Sequence, residues 1–172
     1  MANRDALRAF QSRLASRLQA ARTTGVAATW LAVEAGEGKY LFPLGHAGEI
    51  FPWTPPQPVP YTEPWFLGVA NLRGHLHGVV DLAGFLGVKT VESGREQSRL
   101  VGFNQALELN CVLMVDRLSG LRSESDLTRD DDEAGERPSF VGGRYRDAAS
   151  RVWQELSLVE LAGNDLFLRI VG

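Results

Sequence analysis

Two histidines at alternate positions, His75 and His77, are the residues of this 172-residue chain best spaced for chemistry. Alternate side chains share one face of an extended strand. Asp81 has the same parity, so two imidazoles and a carboxylate could hold a zinc ion. Against this, Asp81 falls where the strand should be ending, and nothing nearby supplies the outer hydrogen bonds that orient metal-bound imidazoles. The expectation is a strand face without a metal. A metal-dependent enzyme or metal-binding protein using His75, His77 and Asp81 is the alternative. The single cysteine, Cys111, excludes an intramolecular disulfide and any paired-cysteine metal or redox site. It lies in the apolar run Cys111 to Val115, where burial raises a thiol's pKa, so a structural thiol is expected rather than a nucleophile.

Other catalytic signatures do not occur. There is no Gly-x-Ser-x-Gly elbow, P-loop or strand-following Gly-x-Gly-x-x-Gly, and Gly84, Gly87, Gly142 and Gly143 lack the spacing and the long following helix needed to cradle phosphate. None of the 21 acidic residues is marked as half of an acid–base pair. A chain so poor in catalytic material is expected to bind rather than to catalyse, with no cofactor. The remaining chemical group is Arg73, in Gly68-Val69-Ala70-Asn71-Leu72-Arg73-Gly74. At a tight turn its guanidinium would offer a rigid fork to a carboxylate, either its own, with Glu49 as one candidate, or a partner's. Gly68 and Gly74 mark places that need unusual backbone angles or close backbone approach.

These residues must be positioned by short strands. Ala28 to Val33 and Lys39 to Phe42 flank a glycine-containing turn and read as a hairpin. Phe66 to Asn71 and Leu76 to Leu82 flank Arg73-Gly74 as a second pair. Arg99 to Phe103 and Glu108 to Asp116 form a third. Val152 to Leu156 and Leu166 to Val171 read as late strands joined by a short helix, which opens at the capping box Ser157 to Glu160 and stops at Gly163. A one-turn helix is expected from Leu82 to Leu86, stopped by Gly87. Many short strands with turns between them point to small β-barrels or a sandwich. Six of the eight prolines fall between Pro52 and Pro64, which predicts a stiff connector pinned by Trp53 and Trp65.

Charge is unevenly spread. Eighteen Lys and Arg against 21 Asp and Glu give a net −3, with no global basic field to hold nucleic acid. Residues 1–22 carry five arginines and one aspartate, whereas residues 123–137 carry seven acidic and two basic residues. Leu7, Phe10, Leu14, Leu18 and Ala21 recur at helical spacing, so residues 1–25 are predicted to be an amphipathic helix, with Asn3 as N-cap and Gly25 as its stop. Its arginines interrupt every apolar run, which excludes a signal peptide or membrane span. A cytoplasmic location is expected. Residues 123–137 read as a solvated, mobile loop.

The sequence around Arg73 resembles the signature of CheW-like domains, the coupling proteins of bacterial chemosensory systems. Val79-Val80-Asp81-Leu82 and Phe85-Leu86-Gly87 continue the likeness. So do Lys39 to Ile50, Pro60 with Pro64 to Gly68, Val112 to Asp116 with Gly120, and Phe140 to Gly143. The leader and the wording Ala70-Asn71 and Phe85-Leu86-Gly87 look most like the PilI-type branch of twitching motility. The resemblance implies a mainly β fold at residues 26–172, two packed five-stranded SH3-like β-barrel subdomains with short connecting helices, and no catalysis. It also implies a scaffold that links a chemoreceptor's cytoplasmic tip to the regulatory domain of a histidine kinase in a membrane receptor array controlling type IV pili. The sensitive positions it implies are Glu49, Gly68, Asn71, Arg73 and Gly74, with the arginine paired to the glutamate beside the receptor groove. His77 and Gly78 depart from the pattern, which has an aliphatic residue and a proline there.

Overall fold

The continuous apolar run at Cys111 to Val115 is a strand buried on both faces. In the computed structural model, which describes residues 6–9, 11, 28–90, 95–130 and 137–170, Cys111, Leu113 and Val115 point into one core and Val112 and Met114 into another. The first strand does the same: Leu31, Val33 and Ala35 face the first core, and Trp30 and Ala32 face a third cluster. Period-2 alternation with no polar face is what a strand needs when apolar layers lie on both sides.

The chain forms two sheets. One contains β1 (Trp30–Ala35), β2 (Gly38–Pro43), β8 (Arg117–Arg122), β9 (Leu127–Arg129), β10 (Val141–Asp147) and β11 (Val152–Leu156), in the order β8-β1-β2-β11-β10-β9. The other contains β3 (Ala47–Pro52), β4 (Phe66–Leu72), β5 (His75–Asp81), β6 (Arg99–Phe103) and β7 (Cys111–Val115), in the order β3-β6-β7-β5-β4. The chain thus leaves the first sheet after β2, completes the second, and returns at β8. All neighbours are antiparallel except β2 with β11 and β5 with β7. The largest core lies between the sheets and includes Phe42, Leu82, Val101, Leu113, Leu156 and Leu161. Each sheet also encloses a smaller cluster of its own, around Phe51 and Val79 in one and Trp153 and Leu41 in the other. This is the mainly β, two-subdomain architecture expected, with six strands in one sheet rather than five.

The three hairpins, the one-turn helix α1 (Leu82–Leu86) and the helix α2 (Leu158–Ala162) stand where the sequence places them. Gly87 ends α1 with φ at +69°. Ser157 Oγ accepts from Glu160 N at 3.2 Å, while Ser157 N is taken by the Phe140 carbonyl, so only half of the capping box forms.

Leu166 to Val171, expected as a strand, instead begins as the helix α3 (Asp165–Leu168). Asn164 Oδ1 accepts from the Leu166 and Phe167 amides at 3.0 and 3.1 Å and turns the chain. Phe167 alone of this helix is buried, against the rings of Trp65, Phe85 and Phe103.

The acidic stretch is also more structured than predicted. Ser123 N and Oγ both donate to Asp126 Oδ2, at 2.8 and 3.0 Å, and close a turn at 124–126. Leu127 is buried, and Asp130 pairs with Arg146 at 2.8 Å. Residues 131–136 lie outside the described residues. Of the leader, residues 6–9 and 11 are helical and exposed; Asn3, Phe10, Leu14, Leu18, Ala21 and Gly25 lie outside the described residues.

The proline-rich connector is pinned as expected. Trp65 stacks on Phe167, Arg95 lies 5.0 Å over the Trp53 ring, and Gln57 exchanges two backbone hydrogen bonds with Val69.

Candidate functional site

The β4–β5 hairpin turns in two residues, with Leu72 opposite His75. Its central residues, Arg73 and Gly74, have φ of +52° and +81°, the mirror-image turn whose twist matches the flanking strands. Glycine adopts that conformation freely, whereas an arginine there costs of order 1–3 kcal/mol and must be held. Asn71 supplies the hold: its Oδ1 accepts from the Gly74 amide at 2.9 Å. Asn71 and Gly74 therefore shape the turn that carries Arg73.

Arg73 Nη2 lies 2.7 Å from Glu49 Oε1 on β3. Their side chains are 76% and 42% exposed, and a pair so open to water contributes about 0–1 kcal/mol to stability. The pair therefore adds little to the stability of the fold. Gly68 acts further back on the same hairpin. Its φ is +134°, and a Cβ there would sit 2.1 Å from the Gln57 carbonyl oxygen. Only glycine lets the connector lie against β4 at this point.

Glu49 and Arg73 stand at the mouth of a groove of about 330 Å³. The pairings of β3 with β6, β6 with β7 and β7 with β5 make β3 and β5 run in the same direction across it. The Phe51 and His77 rings meet inside at 5.8 Å. Phe51 and Leu72 line the groove and belong to the small core that also holds Val79, Leu100 and Val112. His75 and Glu108 also line the groove. Glu108, Phe51 and His77 were not singled out as groove residues by sequence reasoning. Glu108 sits in a left-handed turn, φ +52°, after the short helix at 105–107, and no motif announces it.

The proposed zinc set is not assembled. Asp81 is six residues along β5 from His75, about 20 Å at the usual strand rise, beside α1 at the far end of the sheet. Burial pushes its carboxyl pKa up. His77 Nδ1 donates to the His75 carbonyl at 3.1 Å. Among the described residues no group of three or more His, Cys, Asp or Glu side chains is placed to hold a metal ion. Cys111 is buried, and burial pushes its thiol up to about 12, the setting of a structural cysteine.

Comparison with known proteins gives a consistent picture. The sequence model of the CheW-like domain matches residues 29–165. The chain is 31% identical over 104 residues to "Chemotaxis protein CheW" of Rhizobium meliloti, covering 56% of this chain and 61% of that one. It is 32% identical over 83 residues to "Protein PilI" of Pseudomonas aeruginosa, covering 48% and 46%. The chain therefore spans about half to three fifths of the length of these curated relatives. Among solved structures, the scaffolding protein TtCheW from Thermoanaerobacter tengcongensis superposes with a TM-score of 0.59, covering 75% of this chain and 88% of that one. At 17% identity this likeness concerns the fold.

Proposed function

Because the chain belongs to the CheW-like domain family, we propose that it is a non-enzymatic coupling scaffold joining a chemoreceptor's cytoplasmic tip to the regulatory domain of a histidine kinase. The observation that carries the proposal is the Arg73–Glu49 pair, presented at the mouth of a groove on a strained, Asn71-braced turn. The similarity to PilI favours an array that controls type IV pili, with the protein cytoplasmic and recruited to membrane receptors. No helix among the described residues is long and apolar enough to cross a membrane, which accords with recruitment through partners.

In this reading the receptor occupies the groove, Arg73 and Glu49 set its polar rim, and Gly68, Asn71 and Gly74 hold the hairpin that presents Arg73. A pull-down with the receptor tip and with the kinase regulatory domain tests it. Both are expected to be retained by the native chain. Arg73→Ala should weaken the receptor interaction by about tenfold, the size of one lost charge-assisted contact, and leave kinase retention unchanged. Retention of neither partner by a folded chain would overturn the proposal.

A further inference from the structure

The groove carries two groups that neither the hairpin's geometry nor the ion pair requires, His75 and His77. They follow Arg73 at alternate positions on the hairpin, so three nitrogen-bearing side chains line one wall of the groove. The charged groups facing them come from two other elements: Glu49 on β3 and Glu108 on the turn before β7. Cys111, at the start of β7, is also in the wall, and burial keeps its thiol uncharged. With both imidazoles neutral, one arginine faces two carboxylates. With both protonated, the balance reverses and the groove becomes net positive.

We propose that His75 and His77 are specificity-determining residues of this groove, which receives a partner segment presenting a carboxylate, gripped more tightly when the imidazoles are protonated. The proposal rests on the receptor-coupling reading above. Arg73 reaches Glu49 through Nη2, and its 76% exposure leaves the guanidinium accessible to a second carboxylate. His77 already donates through Nδ1 to the His75 carbonyl, so a further proton goes to Nε2. That turns its acceptor nitrogen into a charged donor. His75, exposed on the rim beside the turn, gains its charge nearest to Arg73. Histidine is the side chain whose charge changes in the physiological range, so the partner's affinity is coupled to pH through these two residues.

The test is calorimetric titration of the full chain with the cytoplasmic-tip fragment of a chemoreceptor from the same organism, at about pH 6 and about pH 8, in buffers of different ionisation enthalpy. The native chain should bind about tenfold more tightly at the lower pH, with net proton uptake. His75→Asn/His77→Asn should bind with the same affinity at both and take up no protons. His75→Asn alone, at an exposed position, should lose part of the dependence and serves if the double variant fails to fold. Native binding that is independent of pH, or a dependence that survives in the double variant, overturns this inference while leaving receptor coupling intact. Binding at neither pH overturns the coupling reading and this inference with it.

Discussion

Replacing Gly68 by alanine should be among the most damaging single-methyl additions to this protein. The new Cβ would lie 2.1 Å from the carbonyl oxygen and 2.6 Å from the carbonyl carbon of Gln57, both backbone atoms that cannot swing aside. Two hydrogen bonds stand in the way of relaxation, Gln57 N to Val69 O at 2.7 Å and Val69 N to Gln57 O at 2.9 Å. Each has a net worth of about 0.5–1.5 kcal/mol, at the low end here because Gln57 is exposed and water can replace its partner. Forcing alanine to the glycine backbone angle of +134° adds about 1–3 kcal/mol. The total is about 2–4 kcal/mol, which lowers the melting temperature of a chain this size by roughly 10 °C. Thermal unfolding followed by circular dichroism measures it. Gly45→Ala is the control, since a Cβ there meets nothing within 4 Å, and it should melt with the native protein. Gly74→Ala has open space but a φ of +81° and should fall between the two. If Gly68→Ala melts within about 2 °C of native, below the 1 kcal/mol level, the close approach of connector and hairpin does not constrain the fold.

Three other outcomes follow from the geometry. Asp147 accepts from Trp153 Nε1 and from the Arg151 and Ala149 amides and the Arg151 side chain, which hold its carboxyl down to about 2. Its folded pKa being depressed, its contribution is complete above about pH 4, the unfolded range, and fades as pH falls toward 2. Asp147→Asn should therefore lower the melting temperature at neutral pH and show a smaller further loss between pH 4 and pH 2 than the native chain; equal losses would refute the assignment. Cys111 should resist a thiol reagent such as Ellman's in the native protein and react stoichiometrically after denaturation, because burial keeps its thiol protonated; rapid native labelling would contradict this. Leu113→Ala, at a fully buried position of the core between the sheets, should cost about 2–5 kcal/mol in chemical denaturation, and a change within error would show that the shared core does not hold the sheets together.

The hairpins and their turns were legible in the sequence because they are local: alternation, a glycine at a positive φ and an Arg-Gly turn need no distant partner. Gly68 and Arg73 stood out for the same reason. What the residues could not disclose was set by contacts far along the chain. The clash that demands Gly68 comes from Gln57, and the groove's other wall comes from Glu49 and Phe51 on β3, brought opposite β5 only by the order of the second sheet. Strands β8, β9 and β10 lack clean alternation. The Gly142-Gly143 pair breaks the register of β10, where a Cβ at 142 would meet Glu155 Oε1 at 2.5 Å. The helix at Asp165–Leu168 was missed because six consecutive residues, five of them apolar, fit either structure, and the decision rests on Asn164 capping and a ring pocket for Phe167. His75, His77 and Asp81 share strand parity, and parity alone does not bring ligands together when the strand carries Asp81 about 13 to 20 Å away from the two histidines.

A coupling scaffold of this kind holds two partners at once, here with Arg73 on the proposed receptor side. The direct measurement is the assembly of a ternary complex from purified receptor tip, histidine kinase regulatory domain and this protein, followed by analytical ultracentrifugation. The native chain should form a ternary species. Arg73→Ala should need about tenfold more receptor to form it, so that the kinase-bound binary complex predominates where the native chain is half saturated with receptor, and should melt within a few degrees of native, because an exposed ion pair contributes at most about 1 kcal/mol. A ternary complex formed equally well by Arg73→Ala, or a native chain that binds the two partners only in competition, would contradict this reading.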